Sequence, residues 1–321
     1  MSDEEQKIQN LEELTKDLMD PNRLVGISTG FPHLDYLSGG LKEGSLIILA
    51  ASSGVGKSIL ALNVLISLAR RNINSVYFDL ENGTTQSFER MVRIWESKEK
   101  DYLKRDHNFK PVMTAISDIQ NHITYFSHEN LLVMEELKLY DKNKRQTPAL
   151  ATIYHLIDTL SHVHKVFLID PLQYLEERVN AQEAFNEQGI IVRELKNLAQ
   201  KRKICILICH HMRKSLMGTS DWVEGLDDLK EIKYRIPTLD SLRGSGKIGD
   251  IATDVWGLVR TYAGPTKEDR GKSMLRILKN RTGELGDIKL FMNEDTLTFT
   301  ENTPDFLKFR KVEDAFDGKA V

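Results

Sequence analysis

The sequence predicts an α/β fold, with a mainly parallel central sheet flanked by helices and extra strands added at one edge near the C-terminus. Three observations carry that expectation. Short, nearly continuous apolar runs recur along the first two thirds of the 321 residues. Stretches of helical periodicity separate them. After residue 240 the text changes to closely spaced strand-like runs. Strands that are apolar almost throughout belong in sheets covered on both faces, and the intervening helices supply the cover.

Taken in order, residues 3–20, "DEEQKIQNLEELTKDLMD", place Ile8, Leu11, Leu14 and Leu18 at helical spacing, and Pro21 stops the pattern. Such a helix buries its stripe either on its own domain or on a neighbouring subunit, and sequence alone leans slightly to the first. The strand candidates are "SLIILAA" (45–51), "SVYFDL" (75–80), "ITYFSH" (123–128), "KVFLID" (165–170) and "ICILIC" (204–209). Helical patterns cover 57–71, 85–97, 149–162 and 182–202. The later runs "DVWGLVRTY", "SMLRILKN" and "DIKLFMNEDTLTFT" are close enough in sequence to pair as antiparallel edge strands. Residues 98–122 and 212–238 carry the weakest pattern and are expected to be loops or insertions. The economical division is an amphipathic arm at 1–21, one α/β domain at 22–302 and a tail at 303–321.

Composition narrows the chemistry. Charged residues make up 28% of the chain and the formal net charge is -3, so no global attraction draws it to nucleic acid or anionic membrane. A local basic groove remains open. Cys205 and Cys209 both fall in one apolar run and read as buried thiols in a reducing compartment. No cysteine and histidine cluster has zinc-ligand spacing. The acidic N-terminus has no signal pattern, and no apolar run approaches membrane-spanning length. A cytoplasmic protein is expected, or one working in viral replication machinery inside a host cell.

The stretch 51–58, "ASSGVGKS", fits the G-x-x-x-x-G-K-[ST] phosphate-loop pattern at every position but the first, where Ala51 stands for glycine. A strand precedes it and a helix follows. Gly54 and Gly56 let backbone N–H groups turn inward around phosphate oxygens, and the helix N-terminus adds positive charge. Ser53, Gly54, Val55, Gly56, Lys57, Ser58 and Ile59 therefore form the expected nucleotide cradle. Lys57 is placed to reach the β- and γ-phosphates of ATP or another NTP, and Ser58 to take a position on Mg²⁺. An ordinary glycine turn with a chance lysine is the alternative, and the flanking strand and helix rank it behind.

A phosphate loop needs an acid for its metal. "KVFLIDPLQYL" ends an apolar strand with Asp170, the form of a Walker B motif, which makes Asp170 the second Mg²⁺ residue beside Ser58. "SVYFDLENG" ends the second strand with Asp79 and Glu81. In a parallel sheet the carboxyl ends of strands line the ligand crevice, so Glu81 is the expected water-activating carboxylate. Asp79, deeper in the strand, is its competitor, and a solvated strand-end charge is the plain alternative for both.

These blocks resemble the RecA-like domain of DnaB-type replicative helicases, a family that includes the helicase domains of phage primase-helicases and mitochondrial Twinkle. The resemblance opens with "STGFPHLDYLSGGLKEGSLIILAASSGVGKS" and continues through "YFDLENG", "LIDPLQYL", "ICHHMRK", "LDSLRGSGKIGDIATDVWGLVR" and "LRILKNRTGELGDIKL". It covers residues from about 26 to 300 by this motif matching. It implies a P-loop NTPase core that forms a ring, most often a homohexamer, and couples ATP hydrolysis to 5′-to-3′ movement on single-stranded DNA at a replication fork. A separate primase or loader is an implied partner.

The resemblance also assigns roles. His210 matches the family's γ-phosphate sensor, with His211 one residue away as its rival. Arg243, Gly244, Ser245, Gly246 and Lys247, in "LRGSGKIGD", match the loop that holds the DNA backbone; a plain surface turn is the compositional alternative. Lys279 and Arg281 match a pair presented to the adjacent subunit's nucleotide, with Arg281 as an arginine finger. No zinc-binding or primase-like portion precedes the motor blocks, so primer synthesis is not expected. Two rivals share the core: a strand-exchange ATPase, and a regulatory ATPase that binds protein instead of DNA.

Overall fold

The computed structural model describes residues 26–98, 109–131, 148–175, 181–212, 222–223, 234–235, 238–242, 246–260 and 266–301. The arm at 1–21, the tail at 303–321 and most of 212–238 lie outside the described residues.

Chain order alternates as the periodicities require. Helix α1 (Pro32–Ser38) precedes β1 (Leu46–Ala51), then α2 (Lys57–Arg70), β2 (Ser75–Asp79), α3 (Thr84–Glu96), α4 (Phe109–His122) and β3 (Ile123–Ser127). There follow α5 (Pro148–Leu160), β4 (Val166–Asp170), α6 (Ala181–Arg202), β5 (Cys205–His211) and the two-residue strands β6 (Trp222–Val223) and β7 (Tyr234–Arg235). The last part holds α7 (Gly246–Ile251), β8 (Asp254–Arg260), α8 (Lys267–Gly271), β9 (Lys272–Asn280), β10 (Gly286–Asn293) and β11 (Thr298–Glu301).

Among the described residues one sheet runs in the order β11-β10-β9-β8-β1-β5-β4-β2-β3. The six strands from β8 to β3 are mutually parallel, and β9, β10 and β11 add antiparallel pairs at the edge. β1 sits between β5 and β8, and all six of its residues are buried. An all-apolar strand there is a consequence of having a helical layer on each face. One core joins Leu60, Leu62, Leu65 and Leu68 of α2 to Tyr77, Leu168, Leu207 and Trp256. The other joins Ile153, Ile157, Leu195 and Leu198 of α5 and α6 to Ile48, Phe78, Ile169 and Ile208. Each fully buried leucine contributes roughly 1.5–3 kcal/mol, so both faces are strongly specified.

Two expectations change. Residues 109–122, expected as part of a loop, form α4, whose Ala115 and Ile119 are buried against the first core. The cause is legible: Val112, Ala115, Ile116 and Ile119 recur at helical spacing, and Pro111 falls in the first turn, where it removes no needed donor. In addition, β5 runs to His211, so His210 lies within the strand and not beyond it.

Candidate active site at the phosphate loop

β1 delivers the chain to the loop and α2 carries it away. Gly54 and Gly56 have φ of 81° and 110°, the left-handed region that glycine alone enters at low cost. A Cβ on Gly56 would lie 3.3 Å from Met292 Sδ and 3.4 Å from Phe299 Cζ, so β10 and β11 wall the loop. Val55 and Ile59 are buried and pin the loop down, while Ser53 and Gly54 face solvent.

Behind the loop stand two buried charges. Lys57 is 6% exposed, and its Nζ lies 3.9 Å from Oδ1 of Asp170, which is fully buried at the end of β4. Neither Asp170 oxygen makes a hydrogen bond within the described residues. Burial raises the Asp170 pKa above its ordinary value, opposed by the Lys57 charge and the Ser58 hydroxyl. A buried carboxylate whose ion-pair partner among the described residues is one lysine at 3.9 Å, with no hydrogen bond to either oxygen, is costly unless a further cation completes it. A carboxylate and a hydroxyl facing a phosphate loop are the oxygen donors that Mg²⁺ takes alongside nucleotide phosphates, so the residues fit that ion.

Glu81 is exposed just past β2, and Leu80 N donates to Asp170 O at 2.9 Å, which sets the two strand ends side by side. Burial first, and then the Asp170 charge, push the pKa of the Cys209 thiol well above its ordinary value. The competitor of Glu81, Asp79, is buried and occupied: it accepts from Ser87 Oγ, from Asn82 N at 3.0 Å and from Tyr125 Oη at 3.2 Å. Those bonds organise the start of α3, the work of a helix-entry carboxylate.

His210 is fully buried, with Nδ1 2.8 Å from Gln173 Nε2. Strand alternation puts it on the side of Ile206 and Ile208, and puts half-buried His211 on the side of Cys209. Sequence reading overlooked Gln173; its place three residues after Asp170 was the available signal.

Lys279 is the penultimate residue of β9, which ends at Asn280, and Arg281 follows the strand. A register shift pairs Val255 with Lys279 but Trp256 with Ile277, so Leu278 bulges and re-aims the strand end. Lys279 Nζ then donates to Gly249 O at 2.6 Å and Asp250 O at 2.8 Å. Arg281 Nη2 donates to Asp250 O at 2.6 Å. Within one chain the pair caps the C-terminal end of α7. That helix begins at Gly246 and exposes Lys247, while Arg243, Gly244 and Ser245 lie outside the described residues.

Arg260, on β8, also touches the loop, donating from Nη2 to Gly54 O at 3.2 Å. Nothing in its local pattern marks it.

With this geometry in view, residues 26–301 match the family model of the DnaB-like helicase C terminal domain. This chain belongs to that family. The replicative DNA helicase DnaC of Bacillus subtilis (strain 168) is 26% identical over 309 residues, covering 93% of this chain and 59% of that protein. The replicative DNA helicase DnaB of Helicobacter pylori (strain J99 / ATCC 700824) is 25% identical over 280 residues, 87% of this chain and 53% of that protein. The chain thus spans between half and three fifths of the length of these DnaB-like relatives. Among solved structures, the ATPase domain of G40P superposes with a TM-score of 0.71 at 19% identity, covering 94% of this chain and 99% of that one. A DnaB-like replicative helicase, studied with its interactions with primase, gives 0.72 at 19% identity, covering 90% and 67%. Both share the RecA-like fold. No described helix is long and apolar enough to cross a membrane.

Proposed function

We propose that this chain is the ATP-hydrolysing motor of a replicative DNA helicase, working as a homohexameric ring that moves 5′ to 3′ on single-stranded DNA and unwinds duplex by excluding the other strand. The observation that carries the reading is Asp170, a fully buried carboxylate that makes no hydrogen bond within the described residues and faces Lys57 at 3.9 Å behind a phosphate loop, in a DnaB-like domain.

Each residue then has a task. The loop from Ser53 to Ile59 cradles the triphosphate, and Lys57 neutralises its β- and γ-oxygens. Ser58 and Asp170 hold Mg²⁺, which when bound screens the phosphate charge. Glu81 orients the attacking water and takes its proton, and exposure leaves it free to do so. His210, held by Gln173, reports the state of the γ-phosphate. Lys279 and Arg281 serve the neighbouring subunit's nucleotide, where an arginine in trans is worth roughly 10³-fold or more in rate. For that they must leave the α7 carbonyls. Arg243 to Lys247 hold the DNA backbone without reading its sequence. A separate primase or loader completes the assembly at the fork.

The test is steady-state ATP hydrolysis by the purified chain with and without single-stranded DNA. Severalfold stimulation, abolished by Lys57→Ala and blunted by Arg243→Ala, is expected. A rate indifferent to DNA in an oligomeric protein would sink the motor reading and favour the regulatory, protein-binding ATPase.

A further inference from the structure

Arg260 has no place in the mechanism above, yet it grips the loop on which that mechanism depends. β8 runs parallel to β1 with Leu258 opposite Ala51, so Arg260 stands two residues further on, alongside the loop. Its Nη2 donates to Gly54 O at 3.2 Å. Its Nη1 donates to Glu294 Oε1 at 3.2 Å and to Met292 Sδ at 3.1 Å. Glu294 is itself fixed: Oε2 accepts from Arg270 Nε at 3.1 Å, and its backbone carbonyl accepts from Arg93 Nη2 at 3.2 Å. The Arg260 side chain is only 9% exposed.

A phosphate loop binds anions through its N–H groups, so its carbonyls must point away from the bound phosphates. Gly54 is where that orientation is least secured by packing. It has a left-handed φ, it faces solvent, and nothing lies within 4 Å of where its Cβ would be. Glycine loses more freedom on ordering than any other residue, so an unanchored Gly54 peptide would spend time with its oxygen turned inward. A guanidinium bound to that oxygen from outside prevents the turn. Anchoring by Glu294 means the guanidinium is in place before nucleotide arrives, and preorganised contacts add affinity by removing the ordering cost.

We propose that Arg260 is a positioning residue that holds the phosphate loop in its anion-binding form, with Glu294 as its anchor. This rests on the nucleotide-binding reading above. The competing role, a direct cationic ligand for phosphate, makes the opposite forecast for Glu294→Gln. That change removes a negative charge and frees the guanidinium, so a direct ligand would bind phosphate more tightly. A positioning arginine that loses its anchor binds more weakly.

The experiment measures the Kd of a fluorescent N-methylanthraniloyl-ATP with MgCl₂, together with kcat and KM for ATP hydrolysis. It compares wild type, Arg260→Gln, Arg260→Lys, Glu294→Gln and the double variant Arg260→Gln/Glu294→Gln, with folding checked by circular dichroism. Arg260→Gln should weaken binding about tenfold and Glu294→Gln about threefold, the scale of one charge-assisted hydrogen bond and its support. The double variant should be no worse than Arg260→Gln, Arg260→Lys should not restore binding, and kcat should stay within about twofold of wild type. Unchanged or tighter binding in Glu294→Gln would overturn the proposal, and that mild variant decides the matter if Arg260→Gln fails to fold. Wild type that binds no nucleotide would instead sink the ATPase reading itself.

Discussion

The two ends of the central strands each bury an aspartate, and the contrast between them separates the proposed binding site from a brace. Asp170 ends β4 at the carboxyl edge of the sheet, and Asp254 begins β8 at the amino edge. Both are fully buried, and neither has a hydrogen bond to its carboxylate within the described residues. Burial raises the pKa of both, with lysines pulling each back: Lys57 at Asp170, and Lys42, Lys196 and Lys279 at Asp254. The difference lies in what the lysines do. Lys196 Nζ donates to Gly44 O at 2.7 Å and to Thr253 Oγ1 at 2.6 Å, and Lys42 Nζ donates to Ser38 O at 2.6 Å and to the Thr282 hydroxyl. Those cations stitch loops to the sheet. Lys57 is more buried than either and donates no hydrogen bond within the described residues; its nearest anion is Asp170 at 3.9 Å. A buried cation that commits no hydrogen bond and meets its anion only at 3.9 Å, at the carboxyl edge next to a glycine loop, is what the proposed function needs for a phosphate ligand.

The sharpest way to break this contrast is to remove one lysine from each end. Lys57→Met should lower ATP hydrolysis at least about a hundredfold, because in the proposed mechanism the lost charge acts on the reacting phosphates. Its unfolding free energy in urea should move by less than about 1 kcal/mol, because loss of the buried ammonium removes its own desolvation cost while Asp170, whose pKa burial already raises, takes up a proton. Lys196→Met should do the reverse. Two charged hydrogen bonds go, so stability should fall by about 2 kcal/mol while hydrolysis per folded molecule stays near wild type. If both variants lost stability equally, the distinction between the two ends would fail.

Acid titration sharpens the same contrast with a smaller effect. A carboxylate whose folded pKa is raised favours the protonated fold. Its contribution to stability is therefore full below the unfolded pKa and is lost as pH rises through the folded value. Asp170 and Asp254 share that sign. In the proposed function, by contrast, binding of Mg²⁺ and ATP needs Asp170 ionised, so affinity should decline on acidification from a higher pH than the ordinary carboxylate value of 3.8 allows. Asp170→Asn should remove that pH dependence along with most metal-dependent affinity, and Asp254→Asn should leave it in place. Isothermal titration calorimetry across pH in wild type and the two variants checks both.

What the sequence revealed follows the same division. The carboxyl edge is built from short local signals, "ASSGVGKS", "LIDPLQYL" and "YFDLENG", and each strand or helix that carries them was legible to within two residues. Local periodicity also contained α4, although Pro111 disguised it. The amino edge is made of single residues from distant places. Lys42, Lys196, Thr253 and Asp254 meet only because β1, β8 and α6 pack together, and no spacing in the chain announces that meeting. Arg260 and Glu294 were illegible for the same reason: a contact across 34 residues and two strands has no period.

Lys279 belongs to both ends of the comparison, and that makes it the finest test. The family resemblance sends it to a neighbour's nucleotide, while within one chain it caps α7 through Gly249 O and Asp250 O. A cation at a helix C-terminus is worth about 0.3–1 kcal/mol, and the bonds to the carbonyls bring the total near 1 kcal/mol. Lys279→Met should therefore speed hydrogen exchange at the α7 amides by about fivefold, a local loosening that global unfolding barely records. Loss of the cap and loss of neighbour-assisted hydrolysis then separate by protein concentration. Exchange at α7 changes equally in dilute and concentrated protein, whereas a defect in trans grows only as chains assemble. A hydrolysis defect already complete in dilute, unassembled protein would place Lys279 wholly on the structural side, as a brace that steadies the helix carrying Lys247.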